Sequence, residues 1–276
     1  MKLYHTRNGA VLHHNGSYYQ LDDDWDNLLN DDNLLGRLSD VARSGSGKKV
    51  SSINETEILP PMKSQELWAS GVTYYRSKIG RQEESKDSGG GDFYARVYEA
   101  ERPELFFKGT LARVVGHNGR VRIREDSTWN VPEPELTLVI TSSGKVVGYT
   151  IGNVMSSRSI EGENPLYLPQ AKTWDGSAAL GPCVFVTDEP FSSDNIISIE
   201  VIRKGESVFS GEVAVGQIKR TFQELVSFLY RECSFAQGCL LMTGTGVIPP
   251  AEFTLNHGDE ISITIEPIGT LRNTVA

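Results

Sequence analysis

Apolar and polar residues alternate with a period of two along much of this chain, which is the spacing of strands with one covered face. The stretches RVRIRE (120–125), ELTLVIT (135–141), KVVGYT (145–150), IISIEVIRKG (196–205) and EISITIEPIG (260–269) read as strands, with Ser142-Ser143-Gly144 turning the second into the third. Near the start, KLYHT, AVLHH and SYYQL are separated by Asn8-Gly9 and Asn15-Gly16, the second pair being a strong hairpin signal. Residues 1 to about 43 therefore read as a small β-rich cap, SGSGKK (44–49) as a flexible connector, and ILPPM (58–62) as the start of the main body. The predicted division is 1–55 for the N-terminal unit and 56–276 for the rest. One helix is evident in GQIKRTFQELVSFLYREC (216–233), where Ile218, Phe222, Leu225, Val226 and Leu229 form one apolar face. No βαβ alternation and no repeat of 20 to 50 residues occurs, which argues against doubly wound and barrel α/β folds. The expected class is α+β with strands dominant. QEESKDSGGGDF (82–93), with Gly89, Gly90 and Gly91 in a row, reads as an exposed loop or a lid.

Composition narrows the function classes. At 276 residues the chain can bury a full core, and no apolar run approaches the ~20 residues that cross a bilayer. The start, MKLYHTRNGA, lacks a secretory pattern, and Cys183, Cys233 and Cys239 form no CxxC pair, so a cytoplasmic location with reduced thiols is expected. A net charge of -9 argues against nucleic-acid partners. A small anionic substrate would need local positive charge or a metal.

In VPEPELTLVI (131–140), strand alternation puts Glu133 and Glu135 on one face and Leu136, Leu138 and Ile140 on the other. Two such carboxylates repel unless something cationic lies between them. The plain alternative is a solvated strand edge. RPELFFKG (102–109) places Glu104 and Lys108 around an apolar Leu-Phe-Phe core strand, with two strand-end charges in water as the plain alternative. His117 sits in a Gly-Asn turn and His13 and His14 flank a hairpin, so none of them is favoured as a general base. MTGTGV (242–247) is a run of small residues where backbone can approach a carboxylate or phosphate closely, or simply turn.

Taken in order over residues 66–276, the words RPELFFK, PEPEL, GYTIGN followed by SSR, ENPLYLPQAK, ALGP, MTGTG and HGDEISITIEPIGTLRN resemble the fumarylacetoacetate hydrolase (FAH) family. Within that family the chain is most similar to the branch that dehydrates 2-keto-3-deoxy-D-arabinonate. The resemblance implies an FAH-like C-terminal β-roll of mixed sheets with a variable N-terminal domain, and a homodimer or higher assembly. It also implies Mg2+, with Mn2+ or Ca2+ as substitutes, held by Glu133 and Glu135, and a small 2-oxo acid as substrate. It implies further that Glu104 and Lys172 are catalytic and that Arg158, Thr245 and Lys108 contact substrate. The third family ligand is an aspartate, and its position matches Val154; Ser159 is a second departure, where many members carry aspartate. The implied reaction is dehydration of a 2-keto-3-deoxy pentonate with impaired metal binding. Carbon–carbon bond hydrolysis of a diketo acid, or a non-catalytic homologue, are the alternatives.

Overall fold

The computed structural model describes residues 1–77, 79 and 91–276. The sixteen strands are β1 (Lys2–Thr6), β2 (Gly9–His14), β3 (Ser17–Leu21), β4 (Lys48–Val50), β5 (Glu66–Gly71), β6 (Glu104–Gly109), β7 (Val114–Val115), β8 (Arg120–Val121), β9 (Asn130–Ile140), β10 (Val146–Ser157), β11 (Ala178–Val186), β12 (Ile196–Arg203), β13 (Glu206–Ala214), β14 (Cys239–Met242), β15 (Glu260–Ile265) and β16 (Gly269–Val275). They build one large mixed sheet in the order β4-β3-β2-β1-β11-β10-β9-β14-β5-β6, with β7 beside β11, and a second sheet in the order β13-β12-β15-β16-β8. The strand-dominated mixed-sheet reading holds.

The Asn15-Gly16 turn forms as its sequence demands, with both residues in the left-handed region at φ 47° and 73°. Between the hairpins and β4 the chain is helical, which the strand reading missed. Asp24 accepts from the Asp26 amide to cap α1 (Trp25–Leu29), and α2 (Leu34–Ser44) ends at Gly45, which takes φ 65°. The turn-forming residues of DDDWDNLLNDDN and the glycine inside LLGRLSDVARS hid that helical period. The expected connector SGSGKK is in fact a helix end, its cap and the first residues of β4, which pairs with β3. The C-terminal helix is also shorter than its apolar pattern suggests. Thr221 accepts from Glu224 N at 3.1 Å and so starts α4 (Phe222–Leu229), leaving Ile218 to bridge Tyr74. Of the loop or lid expected over 82–93, residues 82–90 lie outside the described residues, and the last three begin α3 (Gly91–Glu99). RVRIRE contributes only Arg120 and Val121 to a strand.

Two apolar clusters sit on the two faces of the large sheet. Leu136, Leu138, Ile140 and Met155 pack with Ile197, Ile199, Ile261 and Ile263 between the sheets. Val139, Val147, Val154, Leu240 and Met242 pack on the opposite side with Trp25, Leu28, Leu34 and Leu38. Because β1 pairs with β11, the N-terminal hairpins extend the large sheet, and α1 and α2 cover one end of its second face. The other end of that face carries the acidic pair.

Candidate active site

β9 is paired differently along its length. Thr137 to Ile140 lie between β10 and β14, whereas β14 stops at Met242 and, among the described residues, Asn130 to Leu136 have only β10 as a ladder partner. That single-sided stretch tolerates Pro132 and Pro134, which would break a ladder flanked on both sides. It also opens a small cavity of about 20 Å³, room for about one water or cation, lined by Gly71, Val72, Glu133, Glu135, Arg158 and Lys172 among others.

Glu133 and Glu135 are 4% and 3% exposed, so the solvated-edge alternative fails. Lys172 Nζ donates to Glu133 Oε2 at 2.7 Å and to Ser156 Oγ at 2.5 Å, and it stands 3.4 Å from Glu161 Oε2. Arg158 Nη2 donates to Glu133 Oε1 at 3.2 Å. The two cations come from short helices that follow β10. Ser157 caps α5 (Arg158–Glu163) by accepting from Ile160 N, and Lys172 ends α6 (Leu168–Lys172). Glu133 is thus neutralised by two side chains. Glu135 accepts instead from the Gly244 amide at 2.6 Å. Burial first, then the neighbouring charge of Glu133, push its carboxyl up to about 8, against the Gly244 hydrogen bond and the charges of Lys172 and Lys108. A carboxyl held this way gains most from an added cation.

The loop that supplies this amide is MTGTG. Gly244 sits at φ 92°, and a Cβ there would lie 2.0 Å from Thr73 Oγ1, so only glycine lets the backbone reach the carboxylate. Thr245 lines the cavity, with its hydroxyl 3.1 Å from Val247 N as acceptor. Val72, also in the cavity wall, has φ 52°, a strained conformation for a β-branched residue. Thr73 Oγ1 donates to Thr243 O at 2.7 Å and helps to hold that turn.

Glu104 stands behind Gly71, where its Oε2 takes the space a Cβ would fill, 1.9 Å away; this oxygen is buried and bonds to none of the described residues. Lys108 is not a strand-end charge in water. It is fully buried, its ammonium donates to the carbonyls of Lys172 and, at 2.8 Å, of Ser177, and burial followed by the charge of Lys172 holds its pKa well below the usual lysine range. Its strand is an edge, with Phe107 42% exposed, so Leu-Phe-Phe is not a core strand. Val154 pairs directly with Glu133 in the ladder and therefore shares its face, but it packs in the apolar cluster and is 1% exposed. Asn153 points to the opposite face beside Met155 Sδ, at 3.5 Å. Ser159 lies outside the acidic cluster, 3.0 Å from Ser127 Oγ. His117 is a buried turn residue whose Nδ1 accepts from Arg272 N at 3.2 Å.

Glu161 was missing from the sequence reading. It is 1% exposed, and its three-residue spacing from Arg158 would have placed it on the same helical face once α5 was recognised. Among the described residues no group of three or more His, Cys, Asp or Glu side chains is arranged to hold a metal. Two carboxylates of one strand, with Glu135 pushed up by burial and by the charge of Glu133, nevertheless suit a hard cation that takes its remaining ligands from water and substrate.

A buried acid pair with paired cations, at the open end of a mixed sheet, is the setting in which the comparisons with known proteins fall. The family model of the fumarylacetoacetate (FAA) hydrolase C-terminal domain matches residues 82–276, and the chain belongs to this family. A probable 2-keto-3-deoxyxylonate dehydratase of Haloferax volcanii is 40% identical over 253 residues, covering 87% of this chain and 86% of that protein. A 2-dehydro-3-deoxy-D-arabinonate dehydratase of Saccharolobus solfataricus is 40% identical over 227 residues, covering 81% and 76%. A solved 2-keto-3-deoxy-D-arabinonate dehydratase complexed with magnesium and 2,5-dioxopentanoate is similar to the whole chain, with TM-score 0.84, 33% identity and 98% of that chain covered.

Proposed function

We propose that this protein is a Mg2+-dependent hydro-lyase that removes water from a 2-keto-3-deoxy sugar acid, a pentonate. The observation that carries the reading is the buried Glu133/Glu135 pair, with Glu135 pushed up and Lys172 2.7 Å from Glu133, in a chain 40% identical to two sugar-acid dehydratases. Glu133 and Glu135 would hold the cation, and Val154 leaves the third family position without its carboxylate. When bound, magnesium supplies Lewis acidity toward the carboxylate and keto oxygens of a 2-oxo acid, which makes the C3 protons removable.

The chain's own residues do the rest. Glu104, with a buried oxygen that takes no hydrogen bond from the described residues, moves protons: one leaves C3, and one joins the C4 hydroxyl as its C–O bond breaks to release water. The Lys172 ammonium opposes the negative charge that develops on the substrate oxygens. Arg158 and Thr245, both in the cavity wall, contact those oxygens and orient them. A homodimer in the cytoplasm belongs to the same proposal, and a monomeric mass by light scattering would remove the first part. No helix among the described residues is long and apolar enough to cross a membrane.

The test is to incubate the protein with Mg2+ and, in separate reactions, a 2-keto-3-deoxy pentonate and an acylpyruvate. Dehydration of the pentonate that stops on chelation supports the proposal. Cleavage of the acylpyruvate alone would establish the hydrolase reading for which the family is named, and inertness toward both would establish a non-catalytic homologue.

A further inference from the structure

Lys108 and Glu104 lie on one edge strand of the described sheet, Glu104 paired with Gly71 and Lys108 at the irregularity where the register shifts between Phe107 and Gly109. Lys108 makes its contacts at the far end of the site. Its ammonium donates to the carbonyl of Lys172, the last residue of α6, and to Ser177 O at 2.8 Å. Helix-end carbonyls lack an intrahelical donor, and a cation is favoured there. The backbone of Lys108 closes the clamp from the other side, since its carbonyl accepts from Thr173 Oγ1 at 3.3 Å. Ser177 O also accepts from Met155 N at 2.9 Å, which ties the same loop to β10 next to Ser156, a partner of Lys172. The Trp174 ring stands 5.5 Å from the Lys108 ammonium within that loop. Lys108 has no surface exposed, and its ammonium is taken up by two backbone carbonyls.

We propose that Lys108 is a positioning residue, which fixes the loop 172–177 against the strand of Glu104 and so sets the place of Lys172 opposite Glu133. The proposal rests on the dehydratase reading for its kinetic consequence and on the hydrogen bonds alone for its structural one. Lys108→Met removes both ammonium contacts, and Thr173→Val removes the reciprocal one with little change of volume. Both variants are to be crystallised and assayed. The expected results are a fall in kcat of about 10²-fold for Lys108→Met and several-fold for Thr173→Val, with KM within about twofold of the parent. In the crystals the Lys172 ammonium should move out of hydrogen-bond distance of Glu133 Oε2.

A raised KM at unchanged kcat would overturn the proposal in favour of direct substrate contact. Unmoved Lys172 with lowered thermal stability only would overturn it in favour of a purely structural role. If Lys108→Met does not fold because two buried carbonyls have lost their donor, Thr173→Val decides. The position of Lys172 is read without turnover, so an inactive parent would count against the dehydratase reading and leave this result standing.

Discussion

The two ends of β9 obey the same alternation and do opposite things. From Thr137 to Ile140 the strand has a neighbour on each side, and Leu138, Val139 and Ile140 go into the apolar clusters of the two faces. From Asn130 to Leu136 one neighbour is missing, prolines are tolerated, and the side chains on one face are two buried acids surrounded by Lys172, Arg158 and the Gly244 amide. Burial alone does not separate core from site here, because both ends are buried. Loss of one ladder partner is what makes room for charge, and the charge then has to be compensated from short helices and a glycine loop.

The comparison breaks most completely at Lys172. Replacement by Met should lower kcat by about 10³-fold, because it removes the ammonium that is bonded to Glu133 and that the proposed reaction sets against the substrate oxygens, with circular dichroism unchanged. Near-parental turnover would mean that the charged end of β9 is structural. A smaller loss, about 10²-fold in kcat, is expected for Gly71→Ala, since the new Cβ would lie 1.9 Å from Glu104 Oε2 and must displace that carboxyl. Unchanged kcat would remove Glu104 from proton transfer.

Val154→Asp sharpens the contrast by converting an apolar position on the charged face. It should strengthen Mg2+ binding by about an order of magnitude and make the melting temperature respond to Mg2+ more than that of the parent, while destabilising the metal-free protein through a third acid in one cavity. Equal Mg2+ affinity by calorimetry would show that Val154 does not face the cation. The smallest effect concerns pH. Glu135 holds its proton more tightly in the folded chain, up to about 8, than in the unfolded one, so its contribution is full below about 4.5 and is lost as the pH rises through about 8. Relative to Glu135→Gln, the metal-free parent should therefore lose a few °C of melting temperature between about pH 5 and pH 8.5. Parallel profiles for the two proteins would contradict the compensation argument.

Much of this was legible in the residues. Period-two alternation located β9, β10, β12 and β15, Asn15-Gly16 located a hairpin, and the Glu-Pro-Glu spacing put both acids on one face. What alternation does not report is what covers a strand edge, so Glu133 and Glu135 read equally well as a wet edge; Arg158, Lys172 and the Gly244 loop, brought in from elsewhere, are what enclose them. The N-terminal helices were hidden because their turn-rich flanks are capping residues, as Asp24 and Gly45 show. Glu161 and the Lys108 clamp depend on tertiary contacts between residues up to 69 positions apart, which no local pattern encodes.

If the single-sided end of β9 binds a cation together with a 2-oxo acid, that binding must depend on both Glu133 and Glu135. Calorimetric titration with Mg2+ in the presence of 2,5-dioxopentanoate, on the parent and on Glu133→Gln and Glu135→Gln, tests it most directly. Saturable binding by the parent and a loss of at least about tenfold in affinity for each variant are expected. Equal affinities in all three proteins, or no Mg2+ binding by the parent, would contradict it.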